Sequence, residues 1–551
     1  MKLSERIPRW LKALFSGKSE EKVVLGVEKE PFERKDVLLP DDPVSLGFPV
    51  IERKLQVLHE TLSAEDRVPA STVAEFQGLI QRLFDEEQQK TDPWIKLGID
   101  LGTSSSKVVW RGESDAFPVC FGGDESLLDS YLMPSIFGIE GGKIVTGFTA
   151  ASGKNKDTIA NFKMCLACVA NENSKCNANK CSLNGGWRAG LFEKSLIGNE
   201  VKFVNAVFLA KLLSETREVI TNKLTRTFRQ PPRPKWTAIL SVPETFIEDS
   251  PIASAFSEVF RIAWLMSNVF NRFPEFNDLK LVTKCYLAAR KIAAKSFQVL
   301  EDQTFGCSIY PEVGAEVASI VMNKNSEEGL YAFVDIGAGT IDASLFNYFR
   351  DGARPNRPPF ATEISKDLGA AHIEIYASAA SEHSKAGFFS VGELKKIKEE
   401  YNQMTSSEKS AVEPQFRVIR YVAGEIGKES EKFLTEVFRD ARDKKYPGIV
   451  NEKIRLVLGG GGASLKTYQA AATKAFTSKH STNPRPPEVT VLRKPEKFQM
   501  SPLPSEEFHR FAVAYGLSFP LEDLPEHILV RDVDMVSRPK QHDWSFNPIY
   551  D

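Results

Sequence analysis

One short device, written twice, constrains this chain more than any other feature. The apolar run Leu330-Tyr331-Ala332-Phe333-Val334 ends in Asp335-Ile336-Gly337-Ala338-Gly339-Thr340-Ile341-Asp342, and a second run, Ala343-Ser344-Leu345-Phe346, follows. This pattern predicts a buried strand, a tight turn and a returning strand. Gly337 and Gly339 admit backbone angles and close approach that a side chain would block, so the turn can aim several N–H groups at one anion. Asp335 and Asp342 flank that anion site, suited to holding a hydrated cation or orienting water. The earlier copy reads Trp94 to Ile99, then Asp100-Leu101-Gly102-Thr103-Ser104-Ser105-Ser106, then Lys107-Val108-Val109-Trp110. Two phosphate-type hairpins predict two related halves facing each other across a cleft, with a nucleotide gripped from both sides. A third element, Ile454 to Leu458 followed by Gly459 to Gly462 and a helix from Ala463, predicts strand, glycine turn and helix start. Such a turn lets a flat base lie against backbone.

In this order the three devices resemble the phosphate-1, phosphate-2 and adenosine motifs of the actin-like ATPase superfamily. Other stretches resemble its 70-kilodalton heat-shock chaperone branch: Ile239 to Phe246 a strand ending in a Val-Pro-aromatic step, Pro311 to Ala318 a connecting helix, and Ala512 to Gly516 a closing helix. Tyr131 to Ser135 resembles a short Pro-Ser strand, and Asp367 to Ala371 the step after the second hairpin. The resemblance spans residues 94–520, with unmatched stretches between. It implies an α/β, two-lobed actin-like fold, with duplicated ribonuclease H-like mixed sheets flanked by helices and closing over ATP or ADP and magnesium. It implies that Asp100, Asp335 and Asp342 hold the waters of magnesium. Gly102, Thr103, Ser104, Gly337, Gly339 and Thr340 would bind phosphates, and Gly459, Gly460 and Gly461 would face adenosine. Lys163, at the end of Thr158 to Lys163, matches the family's phosphate-facing lysine. Glu312 matches the glutamate that water-bridges the metal and relays closure between lobes. Glu425 and Lys428, within Gly424 to Glu429, fall where a ribose- and adenine-contacting helix belongs; an exposed salt-bridge face accounts for them nearly as well.

The expected activity is slow hydrolysis of the γ-phosphate by a positioned water, since no further Lys or Arg finger is legible. Nucleotide state would then act as a conformational switch read by a protein partner, through the N-terminal extension or the outer lobe. Only 35 residues follow Gly516 in this sequence, so the chaperones' peptide-binding domain and lid are not expected in it. A filament-forming, actin-like ATPase is an alternative, as is a nucleotide-binding scaffold without hydrolysis. A small-molecule kinase is a third, because Gly98 to Ser105 also resembles carbohydrate kinases.

Composition enters as exclusion. A net charge of −2 over 551 residues, with 42% hydrophobic and 26% charged, is that of an ordinary globular chain and gives no basis for a nucleic-acid partner. No apolar run reaches membrane-spanning length and no signal-peptide pattern opens the chain. Seven cysteines fit a reducing cytoplasm. Four of them, Cys165-x2-Cys168-x7-Cys176-x4-Cys181, admit a tetrahedral structural zinc site, with free or redox-active thiols as the alternative.

Residues 1–93 are expected to form an extension. Within residues 1–17, Leu3, Ile7, Trp10, Leu11, Leu14 and Phe15 share one helical face, which predicts docking on this protein or a partner before a membrane surface. Residues 18–50 read as a linker and residues 51–89 as helical. A helix from Phe203 to Phe228, a strand from Trp236 to Val242 and more helix through Phe270 follow. The chain is expected to turn helical at Ser365, opening a helical subdomain over residues 365–450, with residues 521–551 as a tail.

Overall fold

The computed structural model describes residues 62, 70–90, 92–152, 158–160, 162–170, 199–228, 234–243, 250–296, 306–323, 326–348, 359–366, 368–370, 373, 423–424, 426–441, 454–477, 488–525 and 528–529. After helix α1 (Ala70–Gln88) the chain enters β1 (Asp92–Asp100) and returns as β2 (Ser105–Arg111) and β3 (Ala116–Pro118). β4 (Met133–Pro134) pairs with the start of β2. A small sheet is built from β5 (Ile136–Glu140), β6 (Lys143–Thr146) and, past α2 (Gly147–Ser152), β7 (Thr158–Ala160). Helices α3 (Phe162–Ala170) and α4 (Asn199–Thr227) lead to β8 (Pro234–Val242). Helices α5 (Pro251–Arg272) and α6 (Leu279–Ser296) lead to β9 (Cys307–Pro311) and α7 (Glu312–Val321).

The later half continues with β10 (Gly329–Ile336), β11 (Ile341–Tyr348) and β12 (Pro359–Lys366). Helix α8 (426–441), β13 (Arg455–Gly459), α9 (Lys466–Thr477), β14 (Glu488–Val491), α10 (Ala512–Leu517) and β15 (Ile528–Leu529) complete it. The fold is therefore mixed α/β. Its two large sheets have the same plan: β3-β2-β1-β8-β9 in one, β12-β11-β10-β13-β14 in the other, with β15 outside β12. In each, three antiparallel strands are followed by two parallel ones.

Local sequence accounts for most of this. The runs Leu330 to Val334 and Ala343 to Tyr348 are buried throughout, as strands covered on both faces must be. Helix α4 is buried at every position from Val201 to Ala210 except Lys202, and α4 and α5 pack along each other. The start of α5 is fixed by Pro251 at its first turn and by Ser250, whose side chain accepts the Ala253 N–H at 3.2 Å. Val73, Ile80 and Phe84 of α1 lie in the same core as β1, α4, α5 and α6. The last helix of the expected extension is thus part of the first sheet's packing. The second core joins β10, β11 and β13 to α8 and α9.

Between the sheets run α7 and α10. Val313, Val317 and Ile320 of α7 pack with Tyr331 and Phe333 of β10 and with Phe511 and Tyr515. On the other side, α10 lies on β1, β2 and β8. The approach is close enough to require glycine at two positions. A Cβ on Gly516 would overlap the Ala315 carbonyl, and one on Gly98 would overlap the Ala514 carbonyl. Strand β1, α10 and α7 are therefore in direct backbone contact.

Ser365 does not begin a helix. It lies in β12, opposite Asp342, because β11 offers an open edge to which residues 359–366 hydrogen-bond. Of the helical subdomain expected over residues 365–450, the described helix is α8; most of the remainder lies outside the described residues. Residues 1–61 and 530–551 lie outside them as well. Among the described residues, no helix is long and apolar enough to cross a membrane.

Candidate functional site

Both hairpins end their first strand on an aspartate. Asp100 stands in register opposite Lys107, and Asp335 opposite Asp342. At the first turn the Gly102 N–H donates to the Asp100 carbonyl at 3.1 Å, and the Leu101 N–H donates to Ser241 Oγ at 3.3 Å. Ser135 braces the turn from below: its hydroxyl donates to the Gly102 carbonyl at 2.7 Å, and its N–H donates to the Ser104 carbonyl at 3.0 Å. Among the described residues, the N–H groups of Thr103 and Ser104 make no hydrogen bond. They stand at the turn's tip, available to an anion.

The second turn is closed by the Gly337 N–H donating to the Thr340 carbonyl at 3.0 Å, and by Thr340 Oγ1 donating to Asp342 Oδ2 at 2.8 Å. Neither Gly337 nor Gly339 adopts a positive φ, which corrects the reason given for them above. The close approach comes from a neighbouring segment. Gly369 and Ala370 donate to the carbonyls of Gly339 and Gly337 at 3.1 and 2.9 Å, and a Cβ on Gly369 would meet the Ala338 backbone at 2.5 Å.

The two aspartates are close enough for the charge of Asp100 to act on Asp335. Asp335 is pushed up to about 6 by burial, and the charges of Asp100 and Glu312 add to the effect against a hydrogen bond from Glu316 and the field of Lys107. Glu312 and Glu316 are one turn apart on α7 and so share a face. Glu316 is fully buried; burial and then Asp335 hold its carboxyl well above the usual range. Lys163 forms an ion pair with Glu312. Burial opposes its charge, but Glu312 and Asp100 outweigh burial and hold the ammonium above its ordinary value. Asp342 acts on Lys163 and Glu316 alike. Five carboxylates and two lysines from both sheets therefore share one field, with negative charge in excess.

Glycine turn and acid cluster are in contact. Gly459 pairs with Asp335 across parallel strands, and Gly460 has φ +74°, its α-carbon facing Asp335 Oδ1 so closely that a Cβ would overlap it. His509 is buried behind this turn. Its Nδ1–H donates to the Gly460 carbonyl at 2.8 Å, while the Gly460 N–H donates to the His509 carbonyl at 3.1 Å. Burial, then Arg510, pushes the imidazole below its ordinary value. Gly461 is exposed, with Arg510 beside it. Helix α8 packs against α9 through Gly427 and Thr467, and Lys428 is exposed on it.

A hydrated divalent cation fits this donor set. Among the described residues no hydrogen-bond partner reaches the buried Asp335 Oδ1 or Glu316 Oε2, and unpaired carboxyl oxygens in a confined acidic site suit a cation's waters. Among the described residues, no three His, Cys, Asp or Glu side chains are grouped to ligate a metal directly. For the expected zinc site, Cys176, Cys181 and the Cys168 side chain lie outside the described residues. Cys165 is buried on α3 in the first core. Glu425 also lies outside the described residues.

Four site residues escape the sequence patterns. Lys107 is found by counting register across the first hairpin, and Glu316 by its four-residue spacing from Glu312. The Ser135 brace and the buried His509 carry no local signal, since only tertiary packing brings them to their turns. The sequence matches no protein-family model and no curated protein.

Proposed function

We propose that this chain is an ATPase of the actin-like, two-lobed architecture, in which ATP and magnesium bind between the hairpins and the γ-phosphate is hydrolysed slowly. The observation that carries the reading is the repeated strand order, which ends the equivalent first strands on Asp100 and Asp335 within one electrostatic field. The free amides of Thr103 and Ser104, with the Thr340 hydroxyl opposite, would hold phosphate oxygens. Asp100 and Asp335 would hold the cation through water, and magnesium, when bound, would screen the phosphate charge. Lys163, fixed by Glu312, would meet charge developing on the γ-phosphate, and Asp335 would orient the attacking water. Gly460 and Gly461 would lie along the adenosine.

The same contacts support a switch. Helix α7 carries Glu312 and Glu316 and touches α10, which touches β1, so a change at the phosphates is transmitted to the packing between the sheets. A protein partner, in a cytoplasm that the cysteine usage favours, would read that change. The test is phosphate release from ATP and magnesium by the purified full chain, with mass spectrometry of added sugars. Slow release with no phosphorylated product is expected, and weakened by Lys163→Met. A phosphorylated product would favour a kinase. ATP binding without release would leave a scaffold.

A further inference from the structure

Lys107 is held where both a cation and a phosphate would need to be. Its ammonium pairs with Asp100 Oδ2 at 2.8 Å, and the side chains are 17% and 10% exposed. The pairing follows from register, because directly opposed residues of an antiparallel pair project to the same face. The Lys107 Nζ also lies 3.2 Å from where a Cβ on Gly102 would be, so the ammonium sits over the turn that presents the Thr103 and Ser104 amides. Its charge also acts on Asp335 of the second hairpin. The second lysine, Lys163, is similarly engaged with Glu312.

We propose that Lys107 is an internal counter-cation that withholds Asp100 from divalent metal until a polyphosphate draws the ammonium away. Metal and nucleotide then bind only together. A divalent ion brought to Asp100 beside a fixed ammonium meets like-charge repulsion, strong in a confined site. A phosphate seated on the turn offers Lys107 a replacement anion within reach of its present position. Asp100 is then released to the waters of the metal, and every charge remains paired. Because linkage is reciprocal, the metal must tighten nucleotide by the factor by which nucleotide tightens the metal. This inference rests on the nucleotide reading above and adds an order of assembly to it.

The test uses the full chain, calorimetry, and electron paramagnetic resonance of Mn2+ as the metal probe, with ADP as the polyphosphate. In the unaltered protein, Mn2+ affinity should rise about tenfold or more when ADP is present, and ADP affinity should rise by the same factor with Mn2+. Lys107→Met should bind Mn2+ alone about tenfold more tightly than the unaltered protein and lose the coupling. Lys107→Arg, which keeps the charge, should retain it and controls for folding. Equal Mn2+ affinity in the unaltered protein and Lys107→Met would overturn the inference, as would ADP-independent Mn2+ binding in the unaltered protein. Absence of any joint binding of ADP and Mn2+ in the unaltered protein would instead sink the nucleotide reading, and this inference with it.

Discussion

The two hairpins share a backbone plan and differ in the residue opposite the first aspartate. In β1–β2 that residue is Lys107, and Asp100 is neutralised at 2.8 Å. In β10–β11 it is Asp342, and Asp335 has Glu316 beside it as well. One folding device thus yields two electrically different ends. The first is closed by its own cation, whereas at the second, burial first and then the charges of Asp100 and Glu312 push the Asp335 carboxyl up to about 6. Strand order repeats because it is set by backbone pairing and apolar runs; the electrostatics diverge because single side chains set them.

The largest expected effect breaks the comparison at its acids. Asp335→Asn should lower phosphate release by about 10²–10³-fold, the scale of removing one preorganised polar group from a reacting centre. Asp100→Asn should cost about tenfold, since Lys107 remains over the turn to meet phosphate. Steady-state turnover measures both, and equal losses would erase the proposed asymmetry.

Next in size is the buried pair that ties α3 to α7. Glu312→Gln leaves the Lys163 ammonium buried without its partner and should destabilise the nucleotide-free chain by about 3 kcal/mol in urea unfolding. The double variant with Lys163→Met should recover part of that loss. A smaller effect is expected at the glycine turn. Gly460→Ala meets both a positive φ and the Asp335 carboxylate, and should lose about 2 kcal/mol together with nucleotide affinity. Gly461→Ala, exposed and one residue on, should stay within about 0.5 kcal/mol.

Smallest is a pH effect confined to the second hairpin. Asp335 keeps its proton to about 6 in the folded chain, while the unfolded chain releases it in the ordinary carboxylate range. Stability of the nucleotide-free protein should therefore fall as pH rises from about 4 through about 6, by about 1–2 kcal/mol, and Glu316 extends the fall in the same direction. Asp335→Asn should flatten the slope. Asp100→Asn removes one of the charges pressing on Asp335 and should narrow the window. Thermal unfolding across that range, without divalent metal, checks each variant.

Both hairpins, α4, β8 and α5 are legible in the sequence because their signals are local: apolar runs bounded by turn residues, and Pro or Ser at helix starts. The beginning of α7 at Glu312 is legible for the same reason. Ser365 misleads because the open edge of β11 decides its conformation, and that edge is made by residues more than twenty positions away. Gly337 and Gly339 are legible as a turn, whereas the tight approach falls on Gly369, whose Cβ would meet the Ala338 backbone. His509 is invisible without the fold, as its importance lies in a carbonyl 49 residues earlier.

The central claim is that Asp100 and Asp335 serve one nucleotide. Calorimetric titration of ATP with magnesium into the full chain, and into Asp100→Ala and Asp335→Ala, tests it most directly. The account predicts one ATP per chain, with affinity falling by about tenfold or more in each variant. No heat with the unaltered protein, or an affinity untouched by either substitution, would contradict it.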